Sequence, residues 1–295
     1  MIGSMDLARL QPQLFEDFKN ILQSDRMNHA YLFSGNFASF DMALYLAKSR
    51  FCEDLQNHLP CGNCRTCRLI AAGEFSDVRV IEPQGQVIKT ETIKEAMRNF
   101  SRSGYEGASQ VFIIKDCEKM HINAANSLLK FIEEPQSDSY IILLTSDDNK
   151  VLPTIKSRTQ IFRFPKQLEL LVRAAEKEGF LKDQAQLLAE VAKDFEHLKQ
   201  LMQTKKLVDA IPICQRFVLT LIRDRQLAYL GVAKLAVLLT EKNEQDIAFQ
   251  WLALLLSKNT SNPNRMTDLD KVYRAHQMWK SNVSFQNVLE YMVIS

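Results

Sequence analysis

No stretch of the 295 residues approaches the roughly 20 uninterrupted apolar residues that a membrane-spanning helix needs. A strong charge of either sign is missing too: 37 Lys and Arg stand against 35 Asp and Glu, a net of +2. A dedicated nucleic-acid binder is usually more basic, so that class loses support, although a local basic patch remains compatible with the composition. There is no internal repeat and no low-complexity segment. The opening Met1-Ile2-Gly3-Ser4-Met5 is too short and too neutral for an export signal, and its second methionine makes Met5 a candidate start. We therefore expect a cytoplasmic protein in a reducing compartment. Its six cysteines should then be thiols or metal ligands rather than disulfides.

What is present is ordinary for a soluble globular chain, with 46% hydrophobic and 24% charged residues. The length exceeds what one core usually fills, so two or three domains are expected. Leu14, Phe15, Phe18, Ile21 and Leu22 fall at helical spacing after Pro12, which suits a first-turn position. A short apolar run, 30–33, ends in Ser34-Gly35 and leads into a second helical pattern at Met42, Leu44, Leu46 and Ala47. The alternation continues: strands over 78–81, 111–114, 140–144 and 161–164, helices over 90–100 and 122–132. Short apolar strands alternating with helices imply a parallel sheet covered on both faces. After Pro165 only Gly179 and Gly231 remain of the nine glycines, and leucine- and alanine-rich helical patterns take over. We expect an α/β domain over 1–165, a small helical unit over 166–205 and a larger helical bundle over 206–295. Phe217, Leu221 and Ile222 form one apolar stripe of that bundle, and Ser261-Asn262-Pro263-Asn264 reads as a loop within it.

Cys61, Cys64 and Cys67 are spaced by two residues, with Cys52 nine residues upstream. Four thiolates can wrap one tetrahedral Zn²⁺ with no open position, which makes a structural site. An iron–sulfur cluster is the rival, but ferredoxin-type runs place the fourth cysteine downstream and follow it with proline, which this chain does not. His58 lies in the same loop and is an alternative to Cys52 as fourth ligand. Cys117 and Cys214 are isolated and read as small buried hydrophobes.

The turn at Ser34-Gly35 sits where a Walker A phosphate loop, Gly-x4-Gly-Lys-Ser/Thr, would lie. Counting from Gly35, the second glycine is Phe40, the lysine is Asp41 and the hydroxyl residue is Met42. Phe40 adds bulk where backbone N–H groups must approach phosphate, and Asp41 puts negative charge at a helix N-terminus that would otherwise attract it. Either this is an emptied phosphate loop or it never was one. The strand over 111–114 continues Lys115-Asp116-Cys117-Glu118, so a cation stands where a metal-binding aspartate would be expected. Asp116 and Glu118 read as solvated.

Four stretches, in this order, carry a resemblance: His29-Ala30-Tyr31-Leu32-Phe33-Ser34-Gly35; the four cysteines; Asn126-Ser127-Leu128-Leu129-Lys130-Phe131-Ile132-Glu133-Glu134-Pro135; and Ser157-Arg158. Together they resemble the AAA+ clamp-loader family of bacterial DNA polymerase III, closely over residues 6–165 and beyond that by length and arrangement only. The resemblance implies a RecA-like parallel sheet with helices on both faces, a small helical lid and an all-α collar that joins five subunits in a ring. It also implies a zinc module at Cys52, Cys61, Cys64 and Cys67. The family's Ser-Arg-Cys motif matches Ser157-Arg158-Thr159, and its arginine reaches into the ATP site of a neighbouring subunit. The third residue differs here, but the guanidinium carries the chemistry. The emptied loop sets this chain apart from the ATP-hydrolysing gamma/tau members. The resemblance thus implies a non-catalytic subunit that binds no nucleotide and lends Arg158 to a gamma/tau partner. The assembled complex, which has ATPase and polymerase holoenzyme activity, would contain gamma/tau and delta subunits and act on a sliding clamp and primer-template DNA. Thr145 falls at the position of the family's nucleotide sensor and is expected to hydrogen-bond locally; 194–197 lacks the Gly and Arg of the second sensor.

Two other functions compete: an active ATPase of the same fold with an atypical loop, and a zinc-containing nucleic-acid adaptor unrelated to clamp loading. Trp251, Trp279 and Phe285 are candidates for either core or interface, and a lone Arg158 for an exposed surface charge.

Overall fold

The computed structural model describes residues 4–100, 109–134 and 138–294, and within it the chain divides into two compact units, Met1–Gln167 and Leu168–Ser295. Pro135, which closes the Glu-Glu-Pro stretch, and the opening Met1-Ile2-Gly3 lie outside the described residues.

The first unit opens with α1 (Ser4–Leu10) and α2 (Pro12–Gln23), followed by β1 (Ala30–Ser34) and α3 (Ser39–Phe51). A two-stranded ribbon, β2 (Leu55–Gln56) and β3 (Leu59–Pro60), precedes α4 (Arg65–Ala72). Then come β4 (Val78–Ile81), α5 (Thr90–Phe100), β5 (Ser109–Ile114), α6 (Ile122–Glu133), β6 (Asp138–Thr145), α7 (Pro153–Lys156) and β7 (Gln160–Arg163). Five strands form one parallel sheet in the order β4-β5-β6-β1-β7. The central strands carry apolar runs, 30–33, 111–114 and 140–144, because helices cover both faces. β1 is buried at all five positions, whereas the edge strand β7 is partly exposed throughout.

Alternation along β1 divides the two faces. Tyr31 and Phe33 join Phe18 of α2 and Phe162 of β7 in one aromatic layer, with Phe18 and Phe162 ring centroids 4.4 Å apart. Ala30 and Leu32 face the opposite core, which holds Phe112, Ile114, Ile141 and Leu143 against Leu128 and Ile132 of α6 and Ile155 of α7. Each such buried side chain contributes about 1.5–3 kcal/mol relative to exposure. The pairing places Ser34 beside Thr145 and Arg163, so the loops that follow β1, β6 and β7 gather at one edge of the sheet. In open α/β sheets that edge is where ligands bind.

The second unit is helical among its described residues: α8 (Leu168–Lys177), α9 (Lys182–Val191), α10 (Phe195–Gln203), α11 (Lys205–Arg223), α12 (Arg225–Leu238), α13 (Lys242–Lys258), α14 (Arg265–Lys280) and α15 (Phe285–Ile294). Trp251 is fully buried and its indole N–H donates to the Leu187 carbonyl at 2.9 Å. Phe285 is also buried, and Trp279, half-buried, donates to Gln245 Oε1 at 2.8 Å. All three are therefore packed within this unit itself. Asp268 is almost wholly buried and is held by Arg225 Nη2 at 2.7 Å and Asn262 Nδ2 at 2.9 Å, which fastens the 261–264 loop to the helices around it.

The sequence reading places the last strand over 161–164, but Phe164 lies beyond β7. Its N–H still donates to the Ser34 carbonyl of β1 at 2.7 Å. No helix among the described residues is long and apolar enough to cross a membrane.

Candidate functional site

Cys52 ends α3, Cys61 follows β3, Cys64 caps the N-terminus of α4, and Cys67 lies in that helix's first turn. The β2–β3 turn has two residues with left-handed backbone, Asn57 (φ 51°) and His58 (φ 63°), the pattern of a tight two-residue hairpin. This hairpin returns the chain so that Cys61 meets Cys52. Gly62 (φ 76°) then makes the turn towards Cys64. The four sulfurs lie within 4.8 Å of one another, with Cys52 Sγ 3.5 Å from Cys61 Sγ and 3.9 Å from Cys64 Sγ. Zinc–thiolate bonds of about 2.3 Å in a tetrahedron place sulfurs about 3.8 Å apart, so the group fits one such ion. Backbone N–H groups point at the sulfurs: Cys61 to Cys52 and Cys64 to Cys61, each at 3.3 Å, and Asn63 to Cys61 and Cys67 to Cys64, each at 3.4 Å. Such donors favour thiolate and orient it. Burial pushes the Cys52 and Cys67 thiols up. At Cys64 burial also pushes upward, but backbone hydrogen bonds at Cys67 and Glu53 and side-chain bonds with Cys67 and Cys61 outweigh it and bring the thiol to about 7. His58 stands outside this group, in the hairpin turn; Cys52 completes it. Cys117 and Cys214 are both buried, and burial pushes the Cys214 thiol up to about 12.

The loop after β1 is closed upon itself. Gly35 has a φ of 106° and lies so near the Phe164 carbonyl that an added Cβ would meet that oxygen at 2.3 Å. Its N–H donates to the Thr145 carbonyl at 2.8 Å. Buried Gln11 donates to the carbonyls of Phe37 and Pro165, each at 2.9 Å, and so pins the loop from beneath. Phe37, Ser39 and Met42 are buried, and Asp41 lies in the first turn of α3. The Lys115 ammonium sits 3.9 Å from the centroid of the Phe40 ring and also pairs with Glu82 at 2.5 Å. Thr145 is buried and bonds only nearby: its hydroxyl donates to the Asp147 carbonyl at 3.1 Å and accepts from the Asp147 N–H at 3.2 Å. Asp148 accepts from the Ser34 hydroxyl at 3.0 Å and from Arg163 at 3.2 Å; these contacts hold its carboxyl below the usual aspartate range. Asp116 pairs with Lys119 at the surface, as a solvated group does. Glu118 does not fit the solvated reading. One of its oxygens accepts from Ser146 N (3.3 Å) and Oγ (2.7 Å), and the other is buried without a protein partner.

Arg158 follows the short helix α7, whose Pro153 start suits a first turn. Its side chain is 39% exposed. Its Nε donates to Glu133 Oε1, and its Nη1 donates to the Thr154 carbonyl at 3.2 Å and to Ser157 Oγ at 3.3 Å. The Ser157 hydroxyl itself donates to that same carbonyl at 3.1 Å. Two of the stretches noted in the sequence, 126–134 and 157–158, therefore meet in space. That meeting, the Gln11 clamp and the Lys115–Phe40 contact were not foreseen, because each joins residues far apart in the chain without a spacing rule to announce it. His29, at the start of the first resemblance stretch, has its Nε2 2.9 Å from the Ile132 carbonyl.

A family profile described as "DNA polymerase III, delta subunit" matches residues 10–168. DNA polymerase III subunit delta' of Bacillus subtilis is 38% identical over 174 residues, covering 57% of this chain and 53% of the relative. The subunit delta' of Escherichia coli is 30% identical over 160 residues, covering 52% and 48%. The gamma/tau subunit of Mycobacterium tuberculosis is 34% identical over 175 residues, covering 56% of this chain and 30% of the relative. The chain thus spans about half the length of the delta' relatives it matches. A crystal structure of a gamma subunit-related protein from Thermotoga maritima superposes with a TM-score of 0.55 over 94% of this chain and 96% of that one. At 21% identity this speaks for the fold alone. With the profile spanning more than half of its residues and the delta' relatives aligned at this level, the chain belongs to the delta-prime family of bacterial DNA polymerase III subunits.

Proposed function

We propose that this chain is a non-hydrolysing subunit of the DNA polymerase III clamp loader. It assists the ATP-driven loading of a sliding clamp onto primed DNA and supplies Arg158 to the ATP site of a gamma/tau neighbour. The observation that carries this reading is the filled nucleotide loop. Phosphate binding at a β-strand–helix turn needs bare backbone N–H groups and a cation, with a carboxylate nearby to hold Mg²⁺. Here the Phe40 ring occupies the glycine position, and the Lys115 ammonium covers it from the position of the metal-binding carboxylate. A triphosphate would have to displace that pair and would still meet Asp41.

Arg158 supports the second half of the reading. Phosphoryl transfer develops negative charge on the γ-phosphoryl oxygens, and a guanidinium inserted from a neighbour supplies fixed planar donors there. Such an arrangement makes hydrolysis depend on how two subunits dock. In this reading residues 1–165 are the AAA+ core, 166–205 the lid and 206–295 the collar through which the chain joins gamma/tau and delta. Cys52, Cys61, Cys64 and Cys67 hold one structural Zn²⁺, whose role is to cross-link the end of α3, the hairpin and α4; it supplies no reaction step.

The test is a titration of the isolated chain with a fluorescent ATP analogue, repeated with the gamma/tau partner. The expected result is no binding by the chain alone and binding by the partner. Micromolar binding by the chain alone would replace this reading with an ATPase that has an atypical loop.

A further inference from the structure

We propose that Glu133 is a positioning residue for Arg158: it sets the guanidinium in the orientation in which the arginine is offered to the neighbouring subunit. This rests on the reading that Arg158 acts in trans. An arginine side chain loses rotamer freedom when it is fixed, and a finger that must be fixed only at the moment of docking loses it there. In this chain most of the fixing is already done. Glu133, the last residue of α6, accepts from Nε, while the Thr154 carbonyl and the Ser157 hydroxyl accept from Nη1. These three acceptors engage one edge and one corner of the planar group. Nη2, with both of its hydrogens, has no acceptor among the described residues. The amino group left over is the one that can reach a phosphoryl oxygen outside the chain.

The balance of strengths suits such a role. Glu133 and Arg158 side chains are 46% and 39% exposed. An ion pair at that exposure is weak, strong enough to bias a rotamer and too weak to resist a phosphate. Glu133 thus orients the guanidinium without locking it away. It also explains the serine of the Ser157-Arg158 pair. The Ser157 hydroxyl donates to the Thr154 carbonyl and accepts from Arg158, so it braces the same guanidinium from the opposite side to Glu133.

The experiment uses the assembled loader with clamp and primed DNA, measuring ATP turnover and KM for ATP with Glu133→Ala, Glu133→Gln, Glu133→Met and Arg158→Ala. Glu133→Ala is expected to lower turnover about tenfold, the scale of a loosened side-chain placement, with KM unchanged. Combined with Arg158→Ala it should add nothing, because both act through one guanidinium. Glu133→Gln keeps an acceptor oxygen for Nε and should retain turnover; Glu133→Met, similar in shape but without the acceptor, should not. If Glu133→Ala prevents assembly, the Gln and Met pair still decides, and equal turnover in the two overturns the proposal. A rise in turnover with Glu133→Ala, or a loss that adds to that of Arg158→Ala, also overturns it. If Arg158→Ala slows the complex while Glu133→Ala leaves it at the wild-type rate, this proposal falls and the trans role of Arg158 stands. Wild-type turnover with Arg158→Ala removes both.

Discussion

The loop over 35–42 and the turn at 157–158 spend their polar groups in opposite ways. In the first, the chain binds itself: Gln11 donates to the Phe37 carbonyl, the Gly35 N–H donates to the Thr145 carbonyl, and the Lys115 ammonium lies over the Phe40 ring. In the second, a guanidinium is braced at Nε and Nη1, and its Nη2 has no acceptor among the described residues. In the proposed reading the same fold thus carries one site sealed from within and one presented outward, and the chemistry of a site depends on which groups are left over. The change that tests the outward site most severely is Arg158→Ala. At the ATP site that Arg158 is proposed to serve, hydrolysis should fall on the order of 10³-fold, while the complex stays assembled on size-exclusion chromatography. Unchanged single-site turnover would make the two regions alike, both inert.

The cysteine group sharpens the comparison by testing a support of the first region alone. It ties down the C-terminus of α3, the helix whose N-terminus closes the sealed loop. Elemental analysis should find about one zinc per chain. Cys61→Ser should abolish it and lower the melting temperature of the first unit by about 10 °C, because loss of a metal is among the few single changes that cost several kcal/mol. A variant that keeps its melting point but loses its metal would show that the sulfur group is not a structural tie.

The parts of this architecture that were legible in the sequence are those announced by spacing. The strand over 78–81 and the helix over 90–100 match their structural bounds, since a short apolar run and a 3.6-residue period leave little choice. The cysteine spacing likewise named the four sulfurs that converge. The β2–β3 hairpin and α4 between those cysteines were not anticipated. Two-residue strands have no periodicity to read, and α4 owes its start to Cys64 as cap, a residue usually read as a ligand first. Glu118 was read as solvated because nothing local tells that Ser146, 28 residues on, will fold against it. The loop over 35–42 was half legible: Phe40, Asp41 and Met42 could be read as departures from a phosphate loop, but nothing in the spacing announced that Lys115 would lie over Phe40 or that Gln11 would bind the Phe37 carbonyl.

Gln11 is the next test, and a smaller one. It is 2% exposed and donates to two carbonyls, of Phe37 and Pro165. Gln11→Ala should destabilise the first unit by about 1–3 kcal/mol, the cost of leaving buried polar groups unpaired. Denaturant unfolding measures this directly. A change within error would mean that the loop is held by packing of Phe37 and Met42 alone.

Lys115 gives the smallest effect and the closest discrimination. Its ammonium makes a cation–π contact with Phe40 and an ion pair with Glu82, both near the surface. Lys115→Met should therefore cost only about 0.5–1 kcal/mol. The informative variant is Lys115→Asp, which restores a carboxylate where a metal ion would need one. If charge at that position were all that keeps nucleotide out, this single change would create measurable binding of a magnesium–nucleotide complex. We expect none. The Phe40 ring still occupies the place where backbone must approach phosphate, Asp41 still repels it, and Met42 offers no hydroxyl to the metal. Binding should appear only when Phe40→Gly, Asp41→Lys and Met42→Thr are added to Lys115→Asp. Sealing would then be a property of the whole loop, built from bulk as well as charge.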